Sequence, residues 1–216
     1  MRWLFDPASQ QGVAMRADWY VFVAAGIAVG LFVYAAIFWC LIAYRRRTGR
    51  EPAAFKNNPP LEITYAAIPF LLVLALFAVT FAIEMPIDEA AASPQQRISA
   101  TAFRWSWQFD YGGGVVSSGT TMQPPALYLP LGRTTEIALR SADVTHSFWV
   151  PAFLFKRDAI PGMTNAFDVT PRHAGTYLSR CAQFCGLEHG LMTFYVKVVP
   201  AAAFDRYLSS GGTQKP

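Results

Sequence analysis

Between positions 181 and 192 the chain reads Cys-Ala-Gln-Phe-Cys-Gly-Leu-Glu-His-Gly-Leu-Met, placing two thiols, an imidazole and a thioether within one short loop. Thiolate and thioether sulfur are soft donors that select copper over harder metals, while imidazole suits several transition metals. The mixed set of Cys181, Cys185, His189 and Met192 therefore points to copper used for electron transfer. One further ligand must come from elsewhere in the chain, and His146 is the best candidate.

Plainer readings compete. Two cysteines four positions apart could oxidise to each other outside the cytosol, and Cys with His is a common zinc set. Met192 argues against both, because thioether ligation belongs to copper chemistry. A single blue copper would use one Cys, two His and an axial Met, which leaves a cysteine over. Two thiolates on one loop can instead both bridge a pair of coppers, each copper then taking one terminal imidazole, from His146 and from His189.

The elements that must hold this loop are strands. From about residue 86 to 199, Pro, Gly and Ser clusters punctuate short runs rich in β-branched and aromatic residues. Segments 134–140 and 194–199 alternate sides as half-buried strands do, and no helix-length periodic stretch interrupts them. The spacing predicts a small antiparallel sandwich. A short helix over 201–208 is expected before the tail frays.

Before the strands the chain is apolar. It is 53% hydrophobic with a mean hydropathy of +0.26, enough for a membrane anchor and one domain of ordinary size. Residues 19–44 form an uncharged run of 26, and residues 63–83 another of 21. Each exceeds the roughly 20 residues that a spanning helix needs, so a two-helix transmembrane hairpin is expected, with Pro69 kinking its second helix. The connection at 45–60 carries Arg45, Arg46, Arg47, Arg50 and Lys56 against the single Glu51. Positive charge stays in the cytoplasm. Residues 1–18 and everything after the second helix (61–84) are thus expected on the outer, periplasmic side of a bacterial inner membrane. No cleavable signal is visible in residues 1–18, and the first helix is expected to act as the uncleaved signal.

Several stretches together resemble subunit II of the haem-copper cytochrome c oxidases, the family whose dinuclear copper centre is called CuA. Beside the ligand loop, residues 141–162 (Ser-Ala-Asp-Val-Thr-His-Ser-Phe-Trp and onward) resemble the family's first-histidine strand, and Arg104-Trp105-Ser106-Trp107-Gln108-Phe109-Asp110-Tyr111 its aromatic run over the copper. The likeness covers nearly the whole chain. It implies a membrane-anchored all-β protein: the two-helix hairpin, then a cupredoxin-like Greek-key β-sandwich over 85–200 and a tail at 201–216. It also implies that His146 and Met192 complete one copper, while His189 and the backbone carbonyl of Gln183 complete the other. Trp105 then becomes the residue where electrons arrive, against the commoner meaning of a Trp as core packing.

Two positions sharpen the match. Where the family most often has a Glu whose carboxylate binds magnesium or manganese, this chain has Gln183, a neutral and weaker ligand for a hard cation. A second metal site is therefore doubtful. Glu62 resembles the acid that marks the mouth of a proton path at the start of the family's second helix, although an acid in a first turn also simply complements the helix dipole.

The function implied is electron delivery to a terminal oxidase. A cytochrome c or small copper protein reduces the copper pair, which relays electrons to haem in subunit I, where haem and the CuB copper reduce oxygen with proton translocation. Further membrane subunits are expected. A copper subunit of a nitric oxide reductase, or a membrane-anchored copper carrier, stays open as an alternative; quinol oxidase subunits lack these cysteines. No Cys-x-x-Cys-His is present, so the donor is a separate protein. From residue 84 onward eleven basic residues face ten acidic ones, a near balance that gives neither an acidic docking face nor a nucleic-acid footprint. Cys40 lies inside the first helix as a small apolar residue, and His173 is expected to be solvated.

Overall fold

The computed structural model describes residues 4–45, 49, 57–88, 91 and 93–216. The chain divides into two compact units, the helical Ala17–Ile83 and a β unit that combines Glu84–Pro216 with the N-terminal residues up to Arg16.

Helix α1 spans Gln10–Ala43 and α2 spans Pro59–Asp88. Both are long and apolar enough to cross a membrane, with mean hydropathies of 2.5 and 2.7 over their most apolar windows. Within the helical unit the two are tied where the Thr80 hydroxyl donates to Asp18 (3.2 Å). Helix α2 runs through Pro69 without interruption. Its start is capped reciprocally: Leu61 N–H donates to Asn58 Oδ1 (3.4 Å), and Asn58 N–H donates to the Glu62 carboxylate (3.1 Å). Of the basic connection on which sidedness rests, Arg46, Arg47, Arg50, Glu51 and Lys56 lie outside the described residues.

The first helix begins nine residues before the expected position 19. Ser9 is the reason, since its hydroxyl caps the Gly12 N–H (3.0 Å) and donates in turn to the Phe153 carbonyl (3.1 Å). Residues 8–11 are stitched onto the β unit by Ala8 N–H to Ala152 O (2.8 Å), Arg172 N–H to Ala8 O (2.8 Å) and Gln10 N–H to Thr170 O (3.0 Å). His173, expected to be solvated, is half exposed but meets Asp6 at 3.1 Å. The N-terminal segment is therefore part of the β unit's fold. A Cβ at Gly12 would overlap the Phe153 carbonyl oxygen and approach Pro7 Cβ to 2.8 Å. Gly12→Ala, which in an open helix would stabilise by about 1 kcal/mol, is expected here to destabilise by about 1–3 kcal/mol. A raised melting temperature of the full chain would refute that.

Among the described residues, ten strands form two five-stranded sheets, ordered β3-β2-β1-β5-β8 and β4-β10-β9-β6-β7. In chain order they are β1 (Gln96–Phe103), β2 (Ser106–Asp110), β3 (Val116–Ser118), β4 (Ala126–Pro130), β5 (Thr135–Ser141), β6 (His146–Val150), β7 (Phe155–Ala159), β8 (Asn165–Val169), β9 (Gly175–Cys181) and β10 (Thr193–Val199). The sandwich is not purely antiparallel as the strand spacing predicts, because β1 pairs in parallel with β5 and β4 with β10. Strands β5 and β10 alternate as read, with Ile137 and Leu139, then Phe194, Val196 and Val198 facing the core, and β1 does the same with Ile98, Ala100 and Ala102. Trp107, Phe109, Phe148 and Phe194 pack there with ring centres 4.8–5.8 Å apart, each contributing about 1.5–3 kcal/mol by burial. Helix α3 (Ala201–Ser209) lays Phe204 and Tyr207 against Tyr111. The tail beyond it does not fray at once: Gly211 and Gly212, at φ of 64° and 81°, turn it back.

A candidate metal centre at one end of the sandwich

Three connections carry the candidate ligands. The β5–β6 turn delivers His146 as the first residue of β6, β9 ends on Cys181, and Met192 immediately precedes β10. Pairing of β6 with β9 sets Phe148 opposite Cys181, which brings a histidine 35 residues upstream to the loop. The loop itself is closed by Cys181 N–H to Met192 O (2.9 Å), Ala182 N–H to Ser147 O (3.1 Å) and Met192 N–H to Glu188 O (3.1 Å).

All six ligands expected from the sequence and the family resemblance converge. The two sulfurs are 3.8 Å apart, far beyond the roughly 2.05 Å of a disulfide, so the disulfide reading fails and both thiols are free. Each sulfur has its own imidazole: His146 Nδ1 lies 3.9 Å from Cys181 Sγ, and His189 Nδ1 lies 3.5 Å from Cys185 Sγ. The Gln183 carbonyl oxygen is 3.2 Å from Cys181 Sγ, and Met192 Sδ is 3.7 Å from Cys185 Sγ. His146 and Met192 are fully buried and the cysteines nearly so, whereas His189 is half exposed and the Gln183 side chain exposed.

The electrostatics favour a cation. Burial raises the Cys181 thiol, but hydrogen bonds with His146 and the backbone outweigh it and draw the thiol below its ordinary range, to about 6. Burial pushes Cys185 the other way, to about 12, and the charge on Cys181 adds to that. Two adjacent thiolates repel, so a cation held between them is what allows both to ionise. Soft sulfur donors that include the Met192 thioether fit copper better than zinc.

The structure adds three residues that the sequence left unassigned. Asp143 accepts from His146 Nε2 (2.8 Å) and is held by Arg104 N–H (2.8 Å), Val144 N–H (2.6 Å) and the Arg104 guanidinium (3.2 Å). Burial opposes its ionisation, yet these bonds lower its carboxyl to about 2. The anion fixes the imidazole so that Nδ1 faces the sulfurs. Gly186, at φ 119°, leaves room for Trp105, whose indole would meet any Cβ there at 3.2 Å. Trp107 packs edge-on against His146, with ring centres 6.3 Å apart. An acid three residues before a ligand histidine was the one legible signal among these. Asp143→Ala is expected to lower copper affinity about 10- to 100-fold, and a competition titration that moves less than twofold would deny it an orienting role.

Trp105, in the β1–β2 turn, is half-buried and donates its Nε1–H to the Cys185 carbonyl (3.1 Å). Glu62 belongs to the helical unit, where its carboxylate caps α2.

Comparison with known proteins matches this architecture. The family model for the periplasmic domain of cytochrome c oxidase subunit II matches residues 121–199. A probable cytochrome c oxidase subunit 2 of Streptomyces avermitilis is 34% identical over 243 residues, covering 94% of this chain and 76% of that protein. The chain belongs to the cytochrome c oxidase subunit II family. Cytochrome c oxidase subunit 2 of Mycobacterium tuberculosis is 30% identical, covering 89% of this chain and 70% of that one. In fold, the β unit resembles the crystal structure of the periplasmic domain of subunit II from Bradyrhizobium japonicum, with a TM-score of 0.52 and 23% identity over 59% of this chain and 100% of that one. The sandwich is thus cupredoxin-like, and the protein is a membrane-anchored copper subunit of a haem-copper oxidase that serves electron transport. The alternatives of a nitric oxide reductase subunit or a copper carrier gain no support from these relatives.

Proposed function

We propose that the site is a CuA centre in which Cys181 and Cys185 both bridge two coppers, His146 and Met192 completing one and His189 with the Gln183 carbonyl the other. The observation that carries this reading is the one-to-one pairing of each sulfur with its own imidazole Nδ1, 3.9 and 3.5 Å away. When bound, such a pair accepts and releases one electron shared between two metals. The chain's own part is to hold the donors still: the loop is pinned at both ends by β9 and β10, Asp143 clamps His146, and the aromatic core beneath limits rearrangement.

Trp105 is the residue at which electrons arrive. Its hydrogen bond to the Cys185 carbonyl supplies a short bonded route from the half-buried indole to a ligand sulfur. The donor is a separate cytochrome c or small copper protein on the periplasmic side, and the acceptor is haem in subunit I, where oxygen is reduced. The basic residues between the two helices stay in the cytoplasm, which puts the β unit outside.

The test is metal content with the electron spin spectrum of the purified full chain: two coppers sharing one unpaired electron are expected, and one copper per chain would overturn the reading. Because the Gln183 side chain is a neutral amide, a weaker ligand for a hard cation than a carboxylate, magnesium or manganese is expected to be weak or missing beside it. A tightly held manganese signal in the assembled oxidase would show otherwise.

A further inference from the structure

The edge strands β3 and β4, one from each sheet, flank a cavity of about 550 Å³ that none of the metal ligands lines. Its floor contains two buried tyrosines, Tyr128 of β4 and Tyr207 of α3, only 3% and 2% exposed, with ring centres 4.8 Å apart. Neighbouring Tyr111 uses its hydroxyl to accept the Tyr128 backbone N–H. Among the described residues, the hydroxyls of Tyr128 and Tyr207 hydrogen-bond no other protein group. Neither hydroxyl oxygen is sealed from solvent, so both open onto the cavity and are free to donate to a molecule held there.

The charge around them has one sign. The chain has four lysines, at positions 56, 156, 197 and 215, and two of them, Lys197 and Lys215, line this cavity while no carboxylate does. Lys197 sits opposite Tyr128 in the parallel β4–β10 pair, with Nζ 5.5 Å from that ring's centre. Lys215 is brought to the rim by the folded-back tail, held by Gln214 N–H to Ser210 Oγ (3.1 Å). Pro124, Pro125 and Tyr195 supply flat apolar walls.

We propose that this cavity binds a small organic anion, a carboxylate or phosphate carried on a flat ring. The two ammonium groups and the two tyrosine O–H donors take the anionic oxygens, and the proline and Tyr195 faces take the ring. This site is independent of the metal centre, so its test does not depend on copper chemistry.

Pyridoxal 5′-phosphate is a suitable probe of this class. Its aldehyde condenses with a lysine amine to an imine with loss of water, and borohydride then reduces the C=N bond to a stable adduct that peptide mass mapping can place. In the full copper-loaded chain, Lys197 or Lys215 is expected to be labelled about tenfold faster than Lys156, and phenyl phosphate to protect at about tenfold lower concentration than inorganic phosphate. Tyr128→Phe and Tyr207→Phe keep both rings and are expected to leave the copper spectrum unchanged while cutting selective labelling about tenfold. Similar labelling of all three lysines, no protection by phenyl phosphate, or labelling indifferent to loss of both hydroxyls would overturn the proposal. Equal protection by the two phosphates would overturn its ring-binding half and leave a site for a simple anion.

Discussion

Cys185→Ser is expected to abolish the two-copper centre, leaving one copper or none per chain and, in the first case, a single-thiolate blue-like spectrum. Cys185 Sγ is the hub of the site, with Cys181 Sγ at 3.8 Å, His189 Nδ1 at 3.5 Å and Met192 Sδ at 3.7 Å. A serine hydroxyl is a hard donor with a high pKa and cannot replace a bridging thiolate. The loop should survive, because its closure rests on backbone bonds that do not involve the sulfur, such as Cys181 N–H to Met192 O. Copper analysis and the visible spectrum read the outcome directly. A variant that still holds two coppers with a shared unpaired electron would exclude Cys185 as a bridge.

Trp105→Phe is expected to slow oxidation of a reduced cytochrome c by about tenfold or more, a barrier increase of about 1.4 kcal/mol or more, at unchanged copper content. The substitution keeps an aromatic ring in the slot that Gly186 leaves open but removes the Nε1–H bond to the Cys185 carbonyl. Losing that bond and a little packing costs about 1–2 kcal/mol of stability. A packing role and an electron-transfer role therefore separate cleanly. If stability falls and stopped-flow oxidation stays within a factor of two, Trp105 is structural and electrons reach the copper by another route.

Much of the candidate metal centre was legible because its expected ligands are local. Cys181, Gln183, Cys185, His189 and Met192 fall within twelve consecutive residues, and the chemistry of thiolate, imidazole and thioether is a property of the side chains themselves. The spans were legible for a similar reason, since a long uncharged run can only be satisfied in lipid as a helix. Their ends were less so: α1 starts at Gln10 because Ser9 caps it against the Phe153 carbonyl, a partner 144 residues away.

What tertiary structure alone decided are the pairings between segments distant in the chain. Alternation in β5 and β10 told which side chains face inward, but a period of two says nothing about which strand lies alongside or in which direction. The parallel β1–β5 and β4–β10 pairs had to be seen. The same holds for Asp143 gripping His146, for the Gly186 seat under Trp105, and for the tyrosine and lysine cavity between two sheet edges. The residues alone pointed to copper and to an apolar anchor, because donor softness and hydropathy are carried residue by residue. The orientation of the ligands and the second cavity were settled only by packing, because each depends on surfaces that meet when the two sheets close on one core.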